Sequence, residues 1–75
     1  MSVIFVTGGS SGIGLATVRR LAACGHRVFY GSRTPAGEPL ADGIVHVPLD
    51  LADPVSCAAA ISSVTAAAGR LDVLV

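Results

Sequence analysis

Thr7-Gly8-Gly9-Ser10-Ser11-Gly12-Ile13-Gly14 joins a continuously apolar run, Val3-Ile4-Phe5-Val6, to a stretch with helical periodicity. The run is rich in β-branched residues and shows no polar alternation, which suits a strand buried on both faces of a parallel sheet. From 13 to 24 the pattern is helical: Gly14, Val18, Leu21 and Ala22 share one face, Arg19 and Arg20 lie off it, and Gly25 suits the position just past the helix end. A glycine-rich turn between a buried strand and a helix has a specific use. One glycine permits the tight turn, another lets the backbone approach a pyrophosphate with no Cβ in the way, and a third lets helix and strand pack closely. The helix N-terminus, with its unpaired N–H groups and positive dipole end, then faces the phosphates. The backbone amides between Thr7 and Gly14 are therefore expected to form a pyrophosphate cradle. A P-loop is excluded, because that motif needs a lysine after its last glycine and the chain has no lysine.

Outward from this turn, residues 27–30 read as a second strand, and Pro35, Gly37 and Pro39 make 32–42 a loop. A third strand is expected over 44–49, with Pro48 near its terminus or the sheet edge. Asp53-Pro54 signals a helix start, Asp53 as N-cap and Pro54 at the first helical position. Cys57, Ile61, Val64 and Ala68 then form one apolar stripe, Gly69 ends the helix, and a fourth strand runs over 71–75. Right-handed βαβ crossovers turn this order into an α/β fold with a parallel sheet and helices on its faces.

Composition narrows the partner. Hydrophobic residues make up 52% of the 75 and charged ones 13%, with a formal net charge of +0, so neither a nucleic-acid footprint nor an acidic tail is present and a small molecule is expected. Cys24 and Cys57 each lie among alanines and read as buried packing thiols, since no CxxC pair or Cys/His cluster suggests redox or metal chemistry. No apolar run approaches the roughly 18 residues of a membrane span and the N-terminus lacks a signal-peptide pattern, so a cytoplasmic protein without membrane contact is expected.

In dinucleotide-binding βαβ units the residue about 20 positions after the glycine motif meets the adenosine ribose, and an acid there selects the free 2′-hydroxyl of NAD. Counting from Gly14, 33 − 14 = 19 lands on Arg33, and no acid occurs before Glu38. The guanidinium is a planar fork of donors for a phosphate dianion, and Ser32 can add a hydroxyl, so NADP is expected over NAD. Asp50 falls just past the third strand, at the carboxyl edge where the ligand crevice of open α/β folds lies; as a cap for the next helix it is a poorer fit than Asp53. His26 and His46 have no partner cluster and read as structural or solvent-facing.

The spacing Thr7-Gly8-x-x-x-Gly12-x-Gly14 resembles the first motif of the short-chain dehydrogenase/reductase family at every defined position. Tyr30-Gly31, Asp50 and Leu71-Asp72-Val73-Leu74-Val75 have counterparts in the family, so the likeness covers essentially the whole chain. It implies a partial Rossmann fold with strand order 3-2-1-4, residues 1–75 being the N-terminal part of one dinucleotide-binding domain. It also implies that Ser10, Ser11 and Ile13 line the phosphate and ribose path and that the motif glycines Gly8, Gly12 and Gly14 serve the cofactor. Asp50 would accept a hydrogen bond from the adenine amino group, with Leu51 adding contacts.

The family's proton-donating Tyr with a Lys four residues on, its carbonyl-polarising Ser and its relay Asn are not assignable here: Tyr30 is followed by Thr34, and the chain has neither lysine nor asparagine. The expectation is a fragment of a longer NADP-dependent oxidoreductase acting on a small carbonyl or alcohol substrate, a homo-oligomer when complete. The rival is a non-catalytic NADP-binding or sensing module. In a sheet ordered 3-2-1-4, residues 73–75 would stand on an unpaired apolar edge that invites association.

Overall fold

Val3, Ile4, Phe5 and Val6 are each at most 4% exposed, so the first strand is buried on both of its faces. This follows from their alternation between two cores. Val3 and Phe5 join Phe29, Val47, Leu49, Ala60 and Val64 on one side of the sheet, whereas Ile4 and Val6 join Val18, Val28 and Tyr30 on the other. A computed structural model describes residues 1–10, 12–37, 40 and 43–75.

The elements are β1 (Val3–Thr7), α1 (Gly12–Ala23), β2 (Arg27–Ser32), β3 (Ile44–Pro48), α2 (Pro54–Ala68) and β4 (Val73–Leu74). All strand pairs are parallel and the sheet order is β3-β2-β1-β4, as the sequence implied. Helix α1 packs on the Ile4/Val6 face through Val18, Leu21 and Ala22, and α2 on the Phe5/Leu49 face through Cys57, Ala60, Ile61, Val64 and Ala68. Among the described residues no helix is long and apolar enough to cross a membrane.

The helix ends are made as the local chemistry demands. Asp53 Oδ1 accepts from the Val55 N–H at 3.0 Å, Pro54 begins α2, and Gly69 closes it in the left-handed conformation with φ 79°. The expected stripe of α2 is present and wider by one residue, and two other expectations are corrected. Ala60, outside the expected stripe, is 1% exposed, because the helical face that carries Cys57 and Val64 also passes through it. Cys24 is exposed rather than buried, since it lies past the end of α1 and about 240° around the helix from Val18. Strand β4 is shorter than the expected 71–75, covering only Val73–Leu74.

One carboxylate ties the two ends of the chain together. Asp72 Oδ2 accepts from the Val3 N–H at 2.7 Å and from Arg70 Nε at 3.0 Å, while Arg70 also donates to the Met1 carbonyl at 2.8 Å. The Val3 N–H above all, helped by Arg70, holds the Asp72 carboxyl below the usual carboxylate range. A group whose folded pKa is depressed contributes stability above its unfolded pKa and loses it as pH falls through the folded value. Asp72→Asn is therefore expected to lower the thermal midpoint at pH 7 and to flatten its fall below about pH 4. Parallel acid profiles for the two proteins would remove Asp72 from the acid response.

Candidate functional site

The C-terminal ends of β1, β2 and β3 surround a cavity of about 490 Å³. Gly8 and Ser10 line it from β1, Gly31, Ser32, Arg33 and Thr34 from β2, and Leu49, Asp50, Leu51 and Ala52 from β3. Three consecutive parallel strands bring these residues to one edge although up to 44 positions separate them, 52 − 8 = 44. Six of the ten expected site residues thus line one cavity: Gly8, Ser10, Ser32, Arg33, Asp50 and Leu51. Gly12, Ile13 and Gly14 form the first turn of α1 and do not line it; Ser11 lies outside the described residues.

The glycine-rich turn has a sharper division of labour than its spacing suggests. Gly8 and Gly12 adopt φ 73° and 58°, backbone that L side chains rarely adopt. At Gly14 a Cβ would fall 2.2 Å from the Gly8 carbonyl oxygen, so the third glycine lets α1 close onto the turn's own backbone. Gly9, an unspecified position of the motif, is equally constrained: a Cβ there would lie 2.6 Å from Tyr30 Cβ and 2.9 Å from Val18 Cγ2. Nothing in the spacing singles it out.

The expected cradle is also narrower. The Thr7 N–H and Thr7 Oγ1 both donate to the Val75 carbonyl at 2.9 Å, and the Gly8 N–H donates to the Gly31 carbonyl at 2.8 Å. Those two amides serve the sheet. The amides of Gly12, Ile13 and Gly14 belong to the first turn of α1, where no preceding helical carbonyl exists to accept them. An anion at this edge would meet them and the positive end of α1.

On the β2 side Gly31 keeps the cavity floor low, since a Cβ would meet Leu49 Cδ2 at 2.6 Å and the Phe5 ring at 2.9 Å. Arg33 is exposed at the rim, and Glu38 lies outside the described residues. On the β3 side Asp50 is not the α2 cap, a task that Asp53 performs. Its Oδ1 accepts from the Ala52 N–H at 3.0 Å, its backbone N–H donates to Ser56 Oγ at 2.9 Å, and its carbonyl accepts from the Asp53 N–H at 3.0 Å. Asp50 is thus pinned to the first turn of α2 while it lines the cavity. Ile13 and Leu51 are 88% and 68% exposed, large apolar surfaces at opposite sides of the edge. Of the histidines, His26 Nδ1 accepts from the Ser2 N–H at 3.1 Å, and half-buried His46 lies against Tyr30 with ring centroids 5.1 Å apart.

The family model for short chain dehydrogenases matches residues 2–75. The chain belongs to that family. A Streptomyces virginiae protein carrying the name of a monensin polyketide synthase ketoacyl reductase is 44% identical over 97% of this chain and 31% of its own length. The 3-oxoacyl-[acyl-carrier-protein] reductase MabA of Mycobacterium tuberculosis is 39% identical over 96% of the chain and 28% of its own length. Among solved structures, a 3-ketoacyl-(acyl-carrier-protein) reductase from Brucella melitensis complexed with NADH superposes with a TM-score of 0.89 at 27% identity, over 97% of this chain and 32% of its own. The chain spans about a third of the length of these relatives.

Proposed function

We propose that this chain binds NADP at the β1–β2–β3 edge, as the cofactor-binding part of an oxidoreductase that interconverts a carbonyl and an alcohol. The observation that carries the reading is the convergence of Arg33 and Ser32 with Gly8, Ser10 and Asp50 around one cavity beside the α1 N-terminus. The residues fit the group. The flat floor at Gly31 and the turn closed at Gly14 support room for a dinucleotide backbone, and Arg33 in the lining is the cation that would meet a ribose 2′-phosphate.

Each side chain then has a task. The first-turn amides of α1, with Ser10 and Ser11, hold the pyrophosphate, and Ile13 covers the path toward the second ribose. Arg33 offers its fork and Ser32 its hydroxyl to the 2′-phosphate. Asp50 accepts from the adenine amino group, and Leu51 packs on the base. When bound, NADP(H) supplies or takes up a hydride. Support for carbonyl chemistry comes from relatives named as ketoacyl reductases, and support for a nicotinamide dinucleotide from the NADH in the Brucella structure.

Calorimetric titration tests the reading. NADP⁺ is expected to bind about tenfold or more tightly than NAD⁺, a difference of roughly 1.4 kcal/mol. No binding of either dinucleotide, or tighter binding of NAD⁺, would sink it.

A further inference from the structure

His46 has no task in the function proposed above, yet it stands directly behind the residues that function uses. The β2–β3 register pairs it with Tyr30, and its ring reaches Ser32, two residues further along β2. There Nε2 lies 3.0 Å from the Ser32 carbonyl oxygen and 3.1 Å from Ser32 Oγ. A carbonyl only accepts, so Nε2 carries the hydrogen. The carbonyl also receives the Leu49 N–H at 3.0 Å and stays satisfied without His46. The hydroxyl is in a different position. Ser32 Oγ donates to the Thr34 carbonyl, which makes a chain from His46 Nε2–H through Ser32 Oγ–H to Thr34 that steps across Arg33. Tyr30 holds the imidazole from β2, its ring plane tilted 55° to it, and its own hydroxyl accepts from the Ala36 N–H at 3.1 Å further along the same loop.

We infer that His46 is a positioning residue for the 2′-phosphate: by anchoring the Ser32 hydroxyl it fixes the bend that presents Arg33, and so sets the preference for NADP over NAD. The inference rests on the NADP reading above. A hydroxyl that receives a hydrogen bond is a stronger donor, because the chain polarises it. When a phosphate arrives, the Ser32 hydrogen can turn from the Thr34 carbonyl to the ligand while Nε2–H still holds the oxygen in place. NAD carries a neutral 2′-hydroxyl at that point in place of the phosphate dianion, so the polarised donor and the fixed Arg33 bend favour NADP.

Two substitutions separate the donor from the ring. His46→Phe keeps an aromatic face for Tyr30 and removes the N–H, whereas His46→Gln keeps an N–H donor of comparable reach. With dissociation constants for NADP⁺ and NAD⁺ measured by calorimetry at one salt concentration, His46→Phe is expected to lower the ratio of NADP to NAD affinity about fivefold, the worth of one net hydrogen bond. His46→Gln is expected to recover most of that ratio. The shorter probes 2′-AMP and 5′-AMP should show the same pattern. An unchanged ratio in His46→Phe, an equal fall in both affinities, or a His46→Gln ratio as low as that of His46→Phe overturns the inference while leaving the NADP reading intact. A wild-type protein that binds both dinucleotides equally overturns the two together.

Discussion

Gly14→Ala is expected to weaken dinucleotide binding strongly and to destabilise the fold, although the same exchange in an ordinary helix is favourable by about 1 kcal/mol. Its Cβ would stand 2.2 Å from the Gly8 carbonyl oxygen and 2.9 Å from the Gly8 carbonyl carbon. Both are backbone atoms, so no side chain can swing aside, and relief requires moving the turn or lifting the start of α1. Overpacking of this kind costs about 1–3 kcal/mol, enough to reverse the helical gain. On the proposed reading the displaced amides hold the pyrophosphate, so NADP affinity should fall by about a hundredfold or more, on the order of 3 kcal/mol. Gly37→Ala is the control, because nothing lies within 4 Å of a Cβ built there. Thermal midpoints and titrations that move alike in the two variants would refute the account of the turn.

Arg33→Asp should invert the cofactor preference. The loss has two parts: a charge-assisted pair to the 2′-phosphate, worth about 1.5–3 kcal/mol, and the repulsion of the new carboxylate from a dianion. Together they amount to about a hundredfold weaker NADP binding, whereas NAD binding should improve because the carboxylate accepts from the free ribose hydroxyls. Arg33 is exposed, so the effect should shrink as salt is raised. Dissociation constants for both dinucleotides at two ionic strengths check this. Equal affinities before and after the change would take Arg33 out of cofactor recognition.

Features written locally were legible in the sequence. Asp53-Pro54 and Gly69 mark the ends of α2 because capping depends on residues next to one another. The strand order followed from the family likeness, and the unbroken apolarity of β1 from its burial on both faces. What escaped notice depends on pairings across the sheet. The donors of Thr7 and Gly8 are spent on Val75 and Gly31, and no spacing rule within the turn reveals that. Gly9 matters because Tyr30 arrives beside it from the neighbouring strand, and His46 reaches Ser32 only through the β2–β3 register. Cys24 looked buried because alanines surround it, but what decides is the angle at which α1 meets the sheet.

The segment that walls the cavity on its β3 side leads directly into α2. Asp50 holds Ser56 through its backbone N–H and Asp53 through its carbonyl, and Asp53 in turn caps Val55. Occupancy of the cavity and fraying of the helix are therefore thermodynamically linked. A molecule that grips Asp50 would quieten helix opening several residues away, and a substitution at Ser56 would alter affinity without ever meeting the ligand.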